Sequence, residues 1–169
     1  MTGHASGAAI FAEAAARARQ RPARGMDREW VGVLARVPLF EQMSRRQLRR
    51  LAGLATARRF AAGSPIFHAG DHGDAFYVVL DGAVRARPPA AQPVTLKAGD
   101  FFGEMALLDG APRSAAVEAA TEVLMMRIGR AAFAKLLKQE PQIAAALLTT
   151  LAARIRRLEQ KAAAQVRAG

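Results

Sequence analysis

A carboxylate and a guanidinium nine residues apart, Glu104 and Arg113, stand in the run Phe101-Phe-Gly-Glu-Met-Ala-Leu-Leu-Asp-Gly-Ala-Pro-Arg-Ser-Ala-Ala-Val117. The pattern predicts one helical turn, Glu104–Leu108, opened by Gly103 and closed by Asp109–Gly110. The start of such a turn exposes unpaired backbone N–H groups and a partial positive charge, which together attract an anion. Gly103 allows a ligand close to the backbone, and Arg113, held after Pro112, offers a planar fork to phosphate oxygens. Glu104 would repel a phosphate unless it faces a neutral donor such as a sugar hydroxyl. A phosphate beside a ribose hydroxyl is what a nucleotide presents.

These groups need a scaffold that brings them to one ligand. Short runs rich in Val, Ile, Phe and Tyr, at 65–68, 76–80, 83–87, 94–97, 115–119 and 122–128, alternate with Gly, Asp and Pro turn residues. Many short strands at this spacing predict an antiparallel barrel or jelly roll over 58–128. Asp81–Gly82, between two apolar runs, predicts a hairpin. Upstream, over 27–57, Trp30, Val33, Leu34 and Val37 recur at helical spacing until Pro38. Ser44 then opens a second helix, with Gln47 as its capping-box partner and Met43 and Leu48 placed for a hydrophobic staple. Downstream, Phe133, Leu136 and Leu137 mark a short helix. After Pro141 a longer one carries Ala144, Leu148, Leu151, Ile155 and Leu158, read first as a packing face. The fold class is therefore α+β: an antiparallel, jelly-roll-like β-roll flanked by N-terminal helices and a C-terminal helix pair over 129–160, with a tail at 161–169. Residues 1–26 read as a flexible, solvated Ala/Arg-rich arm. A secretory signal does not fit, because the positive residues follow the apolar stretch, whereas an organelle transit peptide shares the composition.

Phe102-Gly-Glu-Met-Ala-Leu107 followed by Pro112-Arg-Ser-Ala115 resembles the phosphate-binding cassette of cyclic nucleotide-binding domains, and Gly70-Asp-His-Gly-Asp-Ala-Phe-Tyr77 and Asp81-Gly-Ala-Val84 extend the likeness over about residues 30–160. That family includes kinase regulatory subunits, nucleotide-gated channels and bacterial catabolite-activator regulators. The resemblance implies that Arg113 pairs with the cyclic phosphate and Glu104 accepts from the ribose 2′-hydroxyl. Gly103 and Ala106 would act through their backbones, and Ser114 would touch the phosphate or the purine. Met105 and Ala115 complete the ligand-binding set. The implied ligand is cyclic AMP or cyclic GMP, with cyclic AMP favoured, and no other cofactor. A hinge near Gly129–Leu137 would then swing the last helix over the base as a lid, with Leu148, Leu151, Arg154 and Ile155 as its contacts.

Plainer readings stand beside these. Arg113 can be a surface arginine after a turn, Glu104 a favourable first-turn acid, and Ser114 a small strand residue. Phe101, Phe102, Met105 and Leu107 read more simply as core, and His68 and His72 as a strand and a turn residue.

Composition narrows the classes. The absence of cysteine excludes disulfide scaffolds, thiol catalysis and Cys-based metal sites, and it fits a reducing, cytoplasmic compartment. Three scattered histidines make no metal site. No run approaches the length of a membrane span. The net charge of +11 is uneven: +6 over 44–60 and +4 over 141–169, with the middle nearly neutral. The plain reading of both basic patches is solvated helix faces, not nucleic-acid contacts. No nucleophile–His–acid set is visible, so the chain reads as a sensor, not an enzyme, that signals to a separate effector protein. The alternatives are a truncated or partner-dependent catabolite-activator-like transcription regulator, for which residues after Glu159 supply no helix-turn-helix, and a detached regulatory domain of a nucleotide-gated channel. The heptad-like stripe of the last helix also suits a weak homodimer.

Overall fold

In the computed structural model, residues 28–168 are described, and the expected arm at 1–26 lies outside them. Helix α1 (Arg28–Leu34) leads through a 3₁₀ turn, Pro38–Phe40, to α2 (Arg45–Leu54). Pro38 does more than stop α1, because its fixed φ also opens that turn. Ser44 caps α2 as expected: its Oγ accepts from Gln47 N at 3.3 Å, while Gln47 Oε1 accepts from Ser44 N at 2.7 Å. Met43 and Leu48 are both buried, and Arg45, Arg46, Arg49 and Arg50 are exposed on the opposite face.

Eight strands follow: β1 (Ala55–Phe60), β2 (Pro65–Phe67), β3 (Ala75–Asp81), β4 (Ala83–Arg87), β5 (Val94–Lys97), β6 (Phe101–Phe102), β7 (Ala116–Ala119) and β8 (Val123–Gly129). They form two antiparallel sheets in the orders β1-β8-β3-β6 and β2-β7-β4-β5. A one-turn helix, α3 (Met105–Leu108), interrupts the roll after β6, and α4 (Arg130–Gln139) and α5 (Pro141–Ala168) complete the chain. Residues expected as a tail from 161 thus continue α5 through Ala168.

The alternation of side chains along a strand gives the first sheet two buried faces. Phe76, Val78 and Leu80 of β3, with Leu124, Met126 and Ile128 of β8, pack against the helices; Ala75, Tyr77, Val79, Val123 and Met125 point into the roll. This explains why 76–80 reads as an unbroken apolar run. Phe133 of α4 stacks on Phe76 with centroids 4.9 Å apart, and Ile143 and Leu147 root α5 in the same layer.

Two expectations need correction. Asp81–Gly82 does not close a hairpin, because β3 and β4 belong to different sheets; it is a corner. Gly82 has φ +78°, and a Cβ there would lie 2.2 Å from Glu122 O, so the close approach of the β7–β8 connection demands glycine. Nor is the stripe from Leu148 to Leu158 a packing face. Leu148, Ile155 and Leu158 are 68%, 56% and 61% exposed, while the neighbouring face bearing Ile143 and Leu147 is buried.

Candidate functional site

Phe101 and Phe102 fix the start of the cassette by pairing with Val78 and Tyr77 of β3. Their side chains split between the two cores, with Phe101 beside Phe76 and Phe102 stacked on Tyr77. The chain then turns at Gly103, φ +83°, and enters α3 with Glu104 at its N-cap position. A Cβ on Gly103 would lie 2.8 Å from Arg113 Nη1 and 3.0 Å from Ala75 O. Gly110, φ +73°, ends the segment, and Asp109 Oδ1 accepts from Ala111 N at 2.9 Å as the chain returns.

Arg113 is 4% exposed, which excludes a surface role. Its Nη1 donates to Gly103 O at 2.8 Å, and its Nη2 donates to Ala75 O at 2.8 Å and to Asp74 Oδ1 at 3.1 Å. The guanidinium lies 4.1 Å from the Phe67 ring centroid, a cation–π arrangement. Its backbone is anchored too: Arg113 N donates to Asp71 O, and Gly70 N donates to Arg113 O, both at 2.8 Å. The buried Nε has no protein partner. A buried donor left unsatisfied costs about 1–3 kcal/mol, so this atom is where an acceptor would be gained.

Glu104 is 1% exposed. It makes no side-chain cap to α3, so the simple first-turn role does not describe it. Its Oε1 accepts from Arg154 Nη1 at 2.6 Å, and Arg154 also donates to Phe101 O at 3.1 Å with its guanidinium 5.1 Å from the Phe101 ring centroid. Burial pushes the Glu104 carboxyl above its ordinary range, while the charge of Arg154 opposes the shift.

Around these two groups the structure gathers Gly103 and Ala106, the latter buried. Ser114 is exposed, with Oγ 3.8 Å from Met105 Sδ. The core reading of Met105 is incorrect: it is 48% exposed, because the one-turn helix turns Ala106 inward and Met105 outward. Ala115 is half-buried. Of the lid residues, Arg154 is bonded to the cassette, Leu151 is half-buried, and Leu148 and Ile155 face away into solvent.

Sequence reasoning missed three supporting residues. Asp74 bridges Arg113 and Arg127, with Arg127 Nη2 donating to Oδ2 at 2.6 Å. Although burial alone would raise its pKa, the Arg127 hydrogen bond and the two positive charges hold it below the ordinary carboxylate value. Arg130, at the start of α4, donates to Gly73 O and Ala106 O, and so ties the cassette to the hinge helix. Phe67 supplies the ring beneath Arg113. The turn run 70–77 marked that loop but not the residues it delivers. Among the described residues, no group of His, Cys, Asp or Glu could hold a metal, and no helix is long and apolar enough to cross a membrane.

Comparison with known proteins places the fold in a family. The profile of a family described as the cyclic nucleotide-binding domain matches residues 57–140. A cyclic nucleotide-gated potassium channel of Mesorhizobium japonicum is 40% identical over 117 residues, covering 69% of this chain and 32% of the channel. A cAMP-dependent protein kinase regulatory subunit of Emericella nidulans is 39% identical over 112 residues, covering 65% of this chain and 27% of the subunit. The chain thus spans about a third or less of these relatives. The crystal structure of Thermus thermophilus catabolite activator protein superposes with a TM-score of 0.66 at 32% identity, covering 73% of this chain and 61% of that one.

Proposed function

The chain belongs to the cyclic nucleotide-binding domain family, a family of regulatory domains and not of enzymes, and we propose that it serves as a cytoplasmic receptor for cyclic AMP, with cyclic GMP as a second ligand. The carrying observation is Arg113: a buried guanidinium, fixed by Gly103 O and Ala75 O, whose Nε lacks a partner beside the opening of α3. An equatorial phosphate oxygen satisfies that donor. Ala106 N, in the first turn of α3, supplies a second donor, and Glu104 accepts from the ribose 2′-hydroxyl. Ser114 adds its hydroxyl at the phosphate or the purine, with Met105 and Ala115 alongside.

Binding shifts a pre-existing equilibrium of the C-terminal helices. Phosphate at Arg113 and α3 pulls on Gly73 and Ala106, the carbonyls held by Arg130, and so moves the start of α4. Arg154, already paired with Glu104, draws α5 over the base, and Leu151 closes with it. Leu148 and Ile155, exposed in this structure, reach the ligand only if α5 rotates. A separate effector protein reads the helix position, and the same exposed stripe is the seam for a weak homodimer.

The test is calorimetry with cyclic AMP and cyclic GMP on the wild type and Arg113→Ala. A hydrogen bond to a charged group contributes about 1.5–3 kcal/mol, so the variant should bind about 10- to 150-fold more weakly. Equal heats from both proteins would overturn the assignment.

A further inference from the structure

A second buried carboxylate sits at the junction of the C-terminal helices. Glu140, 5% exposed, lies between α4 and α5 with φ −129° and ψ 75°, where Pro141 begins the next helix. Its N–H donates to Leu136 O at 2.9 Å, closing α4, and its carbonyl accepts from Ile143 N at 3.0 Å, opening α5. A charge buried to this degree is tolerated only with partners, and those partners come largely from the other end of the chain. Gln47 of α2 donates Nε2 to Glu140 Oε2, Gln142 of α5 donates to the same oxygen at 3.0 Å, and Arg50 Nη2 lies 3.5 Å from Oε1.

Gln47 is used at both ends of its amide. Its Oε1 completes the capping box with Ser44 N, and its Nε2 holds Glu140. The cap alone asks for an acceptor, which glutamate supplies as well as glutamine. The side facing Glu140 asks for a donor, and the amide meets both demands.

We infer that Glu140, clamped by Gln47 and Arg50, is a positioning residue that sets the angle at which α5 leaves α4 and couples α2 to the position of the lid. Helix α5 is rooted by Ile143 and Leu147 and held again at Arg154 by Glu104. With about 1.5 Å of rise per residue, Arg154 stands about 20 Å from the junction along the helix. A swing of about 10° there displaces it by about 4 Å, enough to break a contact of 2.6 Å. The angle at Glu140 therefore governs whether the lid contact forms. The inference rests on the receptor reading only for what the lid covers, because the clamp is made by protein groups alone.

The experiment uses Gln47→Glu, Glu140→Gln and the double variant, read by amide hydrogen exchange of the ligand-free protein, urea unfolding and cyclic AMP titration. Gln47→Glu keeps the capping acceptor and sets carboxylate against carboxylate. It should speed exchange in the first turns of α5 by about 10-fold beyond any change in global stability, and weaken cyclic AMP binding several-fold. Glu140→Gln should act in the same direction to a smaller extent. The double variant, in which a glutamine amide again meets a carboxylate, should return both readouts to within about twofold of wild type. Wild-type exchange in Gln47→Glu, or a double variant no better than that single one, overturns the clamp. Should Gln47→Glu fail to fold, unchanged α5 exchange in Glu140→Gln overturns it instead. A wild type that takes up no cyclic nucleotide defeats the receptor reading, while the exchange data still decide the clamp.

Discussion

At the cassette, Arg113 is fastened through two backbone carbonyls, one carboxylate, one aromatic ring and both of its own backbone groups. Beyond Leu147, by contrast, α5 carries Leu148, Ile155 and Leu158 in solvent, and among the described residues Arg154 makes its side-chain bonds to the rest of the protein. Among the described residues the two regions meet through Arg154, which pairs with Glu104 and also donates to Phe101 O. The first is preorganised, so a ligand bound there, as proposed, would meet little ordering cost. The second has few anchors, which is the construction expected of an element that moves. On the proposed reading, recognition belongs to the roll and response to the helix.

The sharpest way to break that contrast is to loosen the fastened side. Gly103→Ala would place a methyl 2.8 Å from Arg113 Nη1 and 3.0 Å from a backbone oxygen, at φ +83°. Left-handed strain for a non-glycine residue costs about 1–3 kcal/mol, and Arg113 must also shift. We expect cyclic AMP affinity to fall about 100-fold, with stability reduced by about 1–3 kcal/mol, measured by calorimetry and urea unfolding. Unchanged affinity would mean that the position of Arg113 does not limit binding.

A smaller effect is expected at the joint itself. Arg154→Ala removes the bonds to Glu104 and to Phe101 O from a partly exposed side chain, so affinity should fall about tenfold. Glu104 then stays buried without its counter-charge, and its carboxyl rises further. A carboxyl raised above its unfolded value contributes stability below that value and loses it as pH rises through the folded one. The variant should therefore compare best with wild type in acid and worst at neutral pH. NMR titration of Glu104 and unfolding against pH check both statements.

How far the sequence reveals this arrangement depends on how local the cause is. The Ser44–Gln47 cap, the turn at Gly103 and the one-turn helix are decided within a few residues, and all are legible. Strand β1, Ala-Thr-Ala-Arg-Arg-Phe, carries no apolar alternation; pairing with β8 along its whole length makes it a strand, and the expected boundary between helices and roll, at 57/58, cuts through it. Asp81–Gly82 has the chemistry of either a hairpin or a corner, and the partner strands choose between them. The Leu148–Leu158 stripe shows the same limit from the other side, since periodicity reveals an apolar face but not what covers it. Asp74 and Glu140 matter through partners dozens of residues away, which no local pattern records.

Asp74 gives a milder test of the fastened side. Its pKa is held down by Arg127 and Arg113, so it contributes stability above its unfolded value that is lost as pH falls through the folded one. Its side chain is 57% exposed, and solvent screening limits the effect to less than about 1 kcal/mol. Asp74→Asn should lower stability slightly at pH 7, with the gap to wild type closing in acid. A gap that widens in acid would show that Asp74 is not stabilised as a carboxylate.

The smallest effect should come from the free side. Leu158→Gln alters a side chain that is 61% exposed and is bypassed by the buried face of α5. Surface changes away from special contacts stay within about 0.5 kcal/mol, so urea unfolding at low concentration should match wild type, and cyclic AMP affinity should not move. If the stripe is a seam between two copies, the same substitution weakens self-association in sedimentation and removes any dependence of stability on protein concentration. A large loss of monomer stability would instead mean that the outer half of α5 is packed, and the division between a fastened roll and a free helix would fail.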